Sequence, residues 1–328
     1  MRVGILGATG AVGEQMLKVM EERGIDCELR LFASQRSLGR TASFMGREVE
    51  LDVASPETLR GLDFLLGAAE ADVSRALLPT IRESGAVYID NSSAFRLDDD
   101  VPLVIPQING EDALRHNGII ANPNCSTIIT YMALAPIHRL SPLKTLVAST
   151  YQAVSGAGKA GLKELETQVA ALSAGGSAEP QVFPKQIAFN CIAQIGGYGE
   201  NLYTSEEMKM QNEGRKILHA PDLRVTCTCV RVPVYRSHSI SATFATESRV
   251  TVEEAENAIL GAEGVVLMKD DIATPLGTSD QDLVYVSRVR RDLTSDNGLT
   301  LWCCGDQIRK GAATNAVQIA QYLIKNIL

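Results

Sequence analysis

Short apolar runs and amphipathic stretches alternate through the first ninety residues of the chain. Val3 to Leu6, Glu28 to Ala33, Asp63 to Ala68 and Val87 to Asp90 read as strands, and Val12 to Arg23 as an amphipathic helix. This βαβ rhythm predicts a parallel sheet covered by helices. From about Leu143 to Thr300 the chain is richer in β-branched strands, with Leu146 to Tyr151, Leu223 to Pro233 and Ser239 to Thr246 the clearest, which predicts a separate α+β domain. Between the two, Ile128 to Ala135 forms an apolar run suited to a buried helix, and within the second stretch Ser205 to His219 reads as another helix. Gly311 to Leu328 carries apolar residues at Ala312, Ala316, Ile319, Ala320 and Leu323. One helical face therefore needs burying, and the helix is expected to dock on a domain already built. Ala170 to Ala178, followed by Pro180 and Pro184, reads as a loop or helix end.

With 328 residues, the chain has room for two domains at roughly 150 residues each. Its 45% apolar and 21% charged residues are ordinary for a globular protein. A net charge of −8 without a basic run argues against nucleic acid as a partner. The longest apolar stretch, Ile128 to Ile137, falls well short of the ~20 residues that cross a bilayer, and residues 1–6 already form a strand. The expectation is a cytoplasmic protein without a membrane partner. Seven cysteines, an odd number, read as reduced thiols. Cys227 with Cys229 and Cys303 with Cys304 lack CxxC spacing and read as core, and no metal site is expected.

The first strand runs into Gly7-Ala-Thr-Gly10-Ala-Val-Gly13, and the amphipathic helix begins inside that run. Glycines there let the backbone approach a pyrophosphate, whose charge suits the free N–H groups of a helix N-terminus. The spacing is GxxGxxG, so a tight turn is the alternative to a dinucleotide site. After the second strand comes Ser34-Gln35-Arg36-Ser37, with no acid where an NAD site commonly places one. An arginine flanked by hydroxyls suits the 2′-phosphate of NADP, against the alternative of a solvated loop.

In Asn122-Pro123-Asn124-Cys125-Ser126-Thr127, Pro123 forces an extended residue before it, and Asn124 is a good N-cap for the apolar helix that follows. Cys125 then lies in the first turn, where backbone N–H groups and the helix dipole favour a thiolate; the alternative is a buried structural cysteine. A thiolate beside a nicotinamide suggests addition to an aldehyde, hydride transfer and a thioester, with a base and an oxyanion donor nearby. Of the four histidines, His116, His138 and His219 read as surface residues. His238 follows a strand interrupted by Pro233, and it lies seven residues from Arg231. On one straight strand the two would face opposite ways, so parity favours separate roles unless Pro233 to Ser237 turns the chain. Thr204 and Glu207 fit a capping box, and Glu206 with Lys209 fits a surface ion pair.

Taken together, GATGAVG, DNSSAFR (Asp90 to Arg96), NPNCST (Asn122 to Thr127), TYQAVSGAG (Thr150 to Gly158), EEMKMQNEGRKI (Glu206 to Ile217), RVPVYRSHS (Arg231 to Ser239) and RKGAATNAVQIA resemble the aspartate-β-semialdehyde dehydrogenase family over essentially the whole chain. The resemblance implies an α/β protein with a Rossmann-type parallel-sheet cofactor domain at residues 1–123 and 314–328. An α+β catalytic and dimerisation domain would occupy 124–313. It implies NADPH-dependent reduction of L-4-aspartyl phosphate to L-aspartate 4-semialdehyde with release of phosphate, as used in making lysine, threonine and methionine. A homodimer, or a tetramer of paired dimers, would be the assembly.

Carried over position by position, the resemblance makes Cys125 the acylated nucleophile, Gln152 the residue that orients the thioester, and His238 the general acid/base. Arg231 and Glu206 would hold the amino-acid end of the substrate. Arg96, Asn124 and Lys209, supported by Ser93, would hold phosphate. Gly7, Thr9, Gly10, Ala11, Val12 and Gly13 would meet the pyrophosphate of NADP, Ser34, Arg36 and Ser37 its 2′-phosphate, and Gly156, Gly158 and Asn315 its nicotinamide. Two departures from the family pattern stand out: Gly67-Ala-Ala-Glu-Ala-Asp where a glycine-rich turn is common, and Ser237 where glycine often precedes the histidine. The competing readings are N-acetyl-γ-glutamyl-phosphate reductase, whose substrate lacks the ammonium that Glu206 suits, and an inactive NADPH-binding paralogue, against which Cys125, Gln152 and His238 argue together.

Overall fold

The computed structural model describes residues 1–327 and divides into two compact units. One comprises Met1–Asn124 and the C-terminal segment from Ala312; the other is Cys125–Gly311. In the first, β1 (Arg2–Leu6), α1 (Ala11–Glu22) and β2 (Glu28–Phe32) form the opening βαβ turn. A hairpin follows, β3 (Thr41–Phe44) and β4 (Arg47–Asp52), then α2 (Pro56–Leu59), β5 (Phe64–Gly67), α3 (Ala71–Ser84), β6 (Val87–Asp90), α4 (Pro106–Asn109) and β7 (Ile119–Ala121). The chain returns to this unit as α10 (Thr314–Ile327).

The strands form one sheet in the order β3-β4-β2-β1-β5-β6-β7, parallel except for β3 against β4. Successive strands are laid first on one side of β1 and then on the other, so the sheet switches direction at β1. Its C-terminal end therefore opens where a ligand crevice forms in such sheets. Val3, Ile5, Leu31, Leu66 and Ile89 of the strands share one core with Met16 and Met20 of α1 and with Ala316, Ile319 and Leu323 of α10. The apolar face of the C-terminal helix is thus buried. The hairpin has no signal among the strong apolar runs: it turns at Met45 and Gly46, both at positive φ (50° and 73°), as a tight two-residue turn requires.

The second unit contains α5 (Cys125–Leu140), β8 (Leu143–Gln152), α6 (Gly158–Ser173), α7 (Ser205–Ile217), β9 (Arg224–Arg231) and β10 (His238–Thr246). It continues with α8 (Val252–Leu260), β11 (Val265–Met268), α9 (Pro275–Thr278), β12 (Val284–Arg291) and β13 (Gly298–Gly305). The sheet order is β11-β12-β13-β10-β8-β9. β8 pairs parallel with β9 and antiparallel with β10, and β10 pairs antiparallel with β13. Helix α5 extends the predicted apolar run at both ends, and its residues from Ser126 to Ile137 are all buried. The small-residue stretch after Ala170 begins as the last turn of α6 and then leaves the helix.

Helices α5 and α7 approach closely because residue 214 has no side chain. Tyr131 donates its hydroxyl to the Met210 carbonyl at 2.8 Å, and a Cβ added at Gly214 would lie 2.0 Å from that hydroxyl oxygen. The Thr204–Glu207 capping box forms as the spacing predicts and fixes where α7 starts. Gly214→Ala is therefore expected to destabilise the protein by about 1–3 kcal/mol, read as a lowered denaturation midpoint, whereas Gly175→Ala, in open space at positive φ, should cost only the local backbone strain.

Candidate active site

Three strands of the second unit end at one edge of its sheet, and a fourth begins there. Gln152, the last residue of β8, pairs with Arg231, the last residue of β9. On the other side of β8, Tyr151 pairs with Ser239, so His238 begins β10 at the same edge, opposite Gly305 of β13. Six residues, 232–237, turn the chain from β9 to β10. Arg231 and His238 therefore lie on different strands, and the parity argument that separated them is corrected: it assumed one straight strand.

The two helices on this face begin above the row. Cys125 is the first residue of α5, and it is half-buried. Glu206 lies in the first turn of α7. Gln152 joins both helices to the sheet, its Nε2 donating to Ser126 Oγ (2.6 Å) and to Glu206 Oε1 (3.1 Å). The Glu206–Lys209 ion pair expected from spacing is present at 2.8 Å, but Glu206 is nearly buried and also serves Gln152, so the pair is no ordinary surface bridge.

Arg231 is buried. Its Nη1 donates to the Ala153 carbonyl (2.7 Å), and its guanidinium lies over the Phe183 ring, 5.7 Å from the centroid. Burial pushes the Arg231 guanidinium down from its usual value, an effect opposed by Cys125, Glu206 and Cys229. A Cβ at Gly156 would lie 2.7 Å from Arg231 Nη1, so glycine there makes room for the arginine. Likewise a Cβ at Gly311 would lie 2.9 Å from the Cβ of Cys125. Gly158, at φ +71°, opens α6 directly after the 3₁₀ turn Val154–Ala157.

Ser237, the departure from glycine noted in the sequence, is fully buried at φ +71°. For a residue with a Cβ, that left-handed conformation costs roughly 1–2 kcal/mol. The histidine after it accepts the Ala153 N–H on Nδ1 at 3.1 Å, so the neutral ring carries its proton on Nε2, a buried atom with no hydrogen-bond partner among the described residues.

In the first unit the glycine loop joins β1 to α1. Gly7 has φ +84°, and a Cβ at Gly13 would lie 2.4 Å from the Gly7 carbonyl oxygen, so the loop folds tightly onto itself. Its neighbour is Ala68 in the departure after β5, whose oxygen a Cβ at Gly7 would meet at 2.6 Å. Helix α1 has Gly10 at its N-cap with no side-chain cap, so no N-cap side chain covers the first-turn N–H groups at Ala11, Val12 and Gly13. That loop fits a pyrophosphate. Ser34 caps the 3₁₀ turn Gln35–Ser37 after β2; Ser34 and Arg36 are exposed and Ser37 is buried.

Beyond β6, Asp90 organises the next turn. It accepts from Ser74 (3.1 Å), Tyr88 (3.1 Å) and the Ser92 N–H (3.0 Å). Ser93 is exposed there, while Arg96 is buried and donates to the carbonyls of Asn91 (2.7 Å) and Asn122 (3.0 Å). Asn315 does not stand alone at the start of α10: its Nδ2 donates to Asn122 Oδ1 (2.7 Å) and to the Val104 carbonyl (2.9 Å). It thereby anchors the strand end that leads through Pro123 and buried Asn124 to Cys125.

Known proteins resemble this chain over nearly its whole length. Residues 2–116 match the family described as semialdehyde dehydrogenase, NAD binding domain, and 134–310 match semialdehyde dehydrogenase, dimerisation domain. Aspartate-semialdehyde dehydrogenases of Bacillus subtilis and a Synechocystis strain are 45% and 44% identical, each alignment covering 99% of this chain and 98% of the relative. The chain belongs to the aspartate-semialdehyde dehydrogenase family. Among solved structures, aspartate semialdehyde dehydrogenase II from Vibrio cholerae, complexed with ASA, superposes with a TM-score of 0.97 at 42% identity, covering all of this chain and 99% of that one. An enzyme of this family with an α/β fold binds a nicotinamide cofactor through its first domain.

Within this semialdehyde dehydrogenase, the second unit brings together Cys125, Gln152, Glu206, Lys209, Arg231 and His238, while the first gathers Arg96 and Asn315 around Asn122. Ser126, Phe183 and Gly311 escaped sequence reasoning; Gly311 stood inside the RKGAATN run, but nothing in the sequence marks Phe183. His116 and His138, expected at the surface, are half-buried, each accepting a backbone N–H on Nδ1, and burial lowers both pKa values. No disulfide forms, and burial raises the Cys303 thiol and pushes Cys304 up to about 11. Among the described residues there is no cluster that could hold a metal, and no helix long and apolar enough to cross a membrane.

Burial, and then the charge of Arg231, push the His238 pKa down to about 3. The unfolded chain, with a histidine near 6.5, binds the proton first on acidification. Stability contributed by the neutral ring is complete above pH 6.5 and is lost as pH falls towards 3. The stability of the wild type minus that of His238→Gln should accordingly fall by about 1.4 kcal/mol per pH unit between pH 6 and 4, measured by urea unfolding; a difference independent of pH would contradict a neutral buried ring.

Proposed function

We propose that the chain catalyses NADPH-dependent, phosphate-releasing reduction of L-4-aspartyl phosphate to L-aspartate 4-semialdehyde, reversibly, in the biosynthesis of lysine, threonine and methionine. The convergence of Gln152, Glu206, Arg231 and His238 at one sheet edge, beneath the helix that Cys125 begins, carries this reading. Its closest competitor acts on an N-acetylated substrate, and the Glu206 carboxylate beside Arg231 suits a free amino acid instead.

Cys125 stands at the positive end of α5, which favours its thiolate. The thiolate attacks the acyl carbon, the bond from that carbon to the phosphate oxygen breaks, phosphate leaves, and a thioester remains on Sγ. NADPH, when bound, supplies the hydride that reduces the thioester carbon. His238, neutral with its proton on Nε2, donates a hydrogen bond from Nε2–H to the oxygen on which negative charge develops and keeps that proton; the hydride adduct then collapses to the aldehyde, and the thiolate is restored. Gln152, held by Ser126 and Glu206, keeps the acyl group oriented.

Arg231 takes the substrate carboxylate in its fork and Glu206 the ammonium. Arg96, Asn124 and Lys209, with Ser93, take the phosphate. Gly7, Thr9, Gly10, Ala11, Val12 and Gly13 hold the cofactor's pyrophosphate, Gly156 and Gly158 border its nicotinamide, and Asn315 supports that site through Asn122. Exposed Arg36, with Ser34 and Ser37, selects NADP over NAD through the 2′-phosphate. The second sheet leaves Val147 and Tyr151 exposed on the face away from α5 and α7, and we assign that face to the interface of a homodimer.

Absorbance at the nicotinamide band tests the reading. NADP, L-aspartate 4-semialdehyde and phosphate together should produce NADPH, and omission of phosphate should abolish it; turnover only with the N-acetylglutamate analogue would assign the chain to the competing reaction. Cys125→Ala should lose at least about a thousandfold in turnover while still binding NADPH. Arg36→Ala should raise KM for NADP about tenfold, the loss of one charge-assisted hydrogen bond, and leave KM for NAD nearly unchanged.

A further inference from the structure

We propose that Gln307 is a positioning residue whose side-chain amide holds Ser237 in the backbone conformation that aims His238. Gln307 is buried two residues beyond Gly305, the sheet partner of His238. Its Oε1 accepts the Ser237 N–H at 2.8 Å, and its Nε2 donates to Ser155 Oγ. An uncharged amide suits this place because one end accepts from a backbone N–H while the other donates to a hydroxyl.

The need for such a clamp comes from Ser237 itself. A residue with a Cβ prefers negative φ, yet Ser237 sits at +71° inside the protein, its Oγ meeting Ser279 Oγ at 3.2 Å. Without the Gln307 acceptor, the Ser237 N–H would be buried and unpaired, and the peptide would be free to rotate towards negative φ. His238 is the next residue, so its backbone would turn with it.

The same amide also steadies the other side of the ring. His238 Nδ1 is held by the Ala153 N–H, and Ser155 lies in the turn that follows Ala153. Two backbone bonds already join this turn to the 232–237 link: Val154 N–H to the Val234 carbonyl (2.8 Å) and Ser155 N–H to the Tyr235 carbonyl (3.2 Å). Gln307 closes the far end of that ladder. The inference rests on the proposed reaction only in giving His238 an oxygen to donate to; the geometry it describes stands apart from the substrate.

A double-mutant cycle between Gln307→Met and Ser237→Gly tests it, because glycine adopts the left-handed conformation unaided. The readouts are kcat for phosphate-dependent NADP reduction and the imidazole carbon resonance of His238, assigned by its loss in His238→Asn. With Ser237 in place, Gln307→Met should lower kcat at least tenfold and displace the resonance, with KM for NADP within threefold of wild type. On top of Ser237→Gly, the same replacement should cost at most threefold and leave the resonance where Ser237→Gly alone puts it. Equal losses in both backgrounds, or an unmoved resonance, would overturn the proposal. Should Gln307→Met fail to fold, Gln307→Glu decides, since its carboxylate still accepts from Ser237 and from the Ser155 hydroxyl: a resonance near the wild-type position supports the clamp, and a displaced one overturns it. A wild-type chain without turnover would refute the proposed reaction alone, and the resonances would still judge Gln307.

Discussion

The pairing of β8 with a parallel strand on one side and an antiparallel strand on the other is the constraint on which the second unit's chemistry rests. Parallel pairing brings the ends of β8 and β9 to one edge, and antiparallel pairing brings the start of β10 to that same edge. Four neighbouring strands thus present Arg231, Gln152, His238 and Gly305 in a row. Because side chains alternate between faces, a one-residue slip of β9 against β8 would carry Arg231 out from beneath the helices. The register is held by burial: Cys227, Cys229 and Arg231 lie on the covered face, and Thr226 and Thr228 on the open one.

Burial at this row sets the electrostatics as well as the geometry. A guanidinium removed from water is unfavourable unless its donors and charge are met, and Arg231 is met by a carbonyl, an aromatic face and the nearby Glu206. Burial first, and then the same positive charge, keep His238 neutral, so the arginine that would recognise a carboxylate also helps to set the protonation state of its neighbour. Gln152 stands between them and ties both helix starts to the sheet, which makes the helix spacing at Gly214, set against Tyr131 less than two turns along α5 from Cys125, part of the site.

What could be read from the sequence was local. The βαβ rhythm, the glycine loop, the Thr204–Glu207 cap and the helix beginning after Pro123 each depend on residues close together in the chain, where spacing and backbone preference suffice. The hairpin at Thr41–Asp52 escaped because its strands are mostly polar and its turn uses a methionine at positive φ. The residues of the row at the edge of the second sheet were named through the family resemblance and not from spacing, because pairing between strands distant in sequence decides which residues meet, and parity within one strand says nothing about it. Ser237 shows both sides, since its departure from glycine was visible, but the left-handed backbone it occupies and the amide that meets it were not.

The first unit is assembled from two separated stretches of chain, and this gives it a different history from the second during synthesis. Residues 125–311 leave the ribosome as one uninterrupted piece and contain every strand of their sheet. The earlier strands around β1 emerge before it yet must wait for α10, whose Ala316, Ile319 and Leu323 close their core only after the whole second unit has been made. The unit begun earlier is therefore completed later, with its apolar face uncovered in the meantime and open to chaperones until α10 arrives.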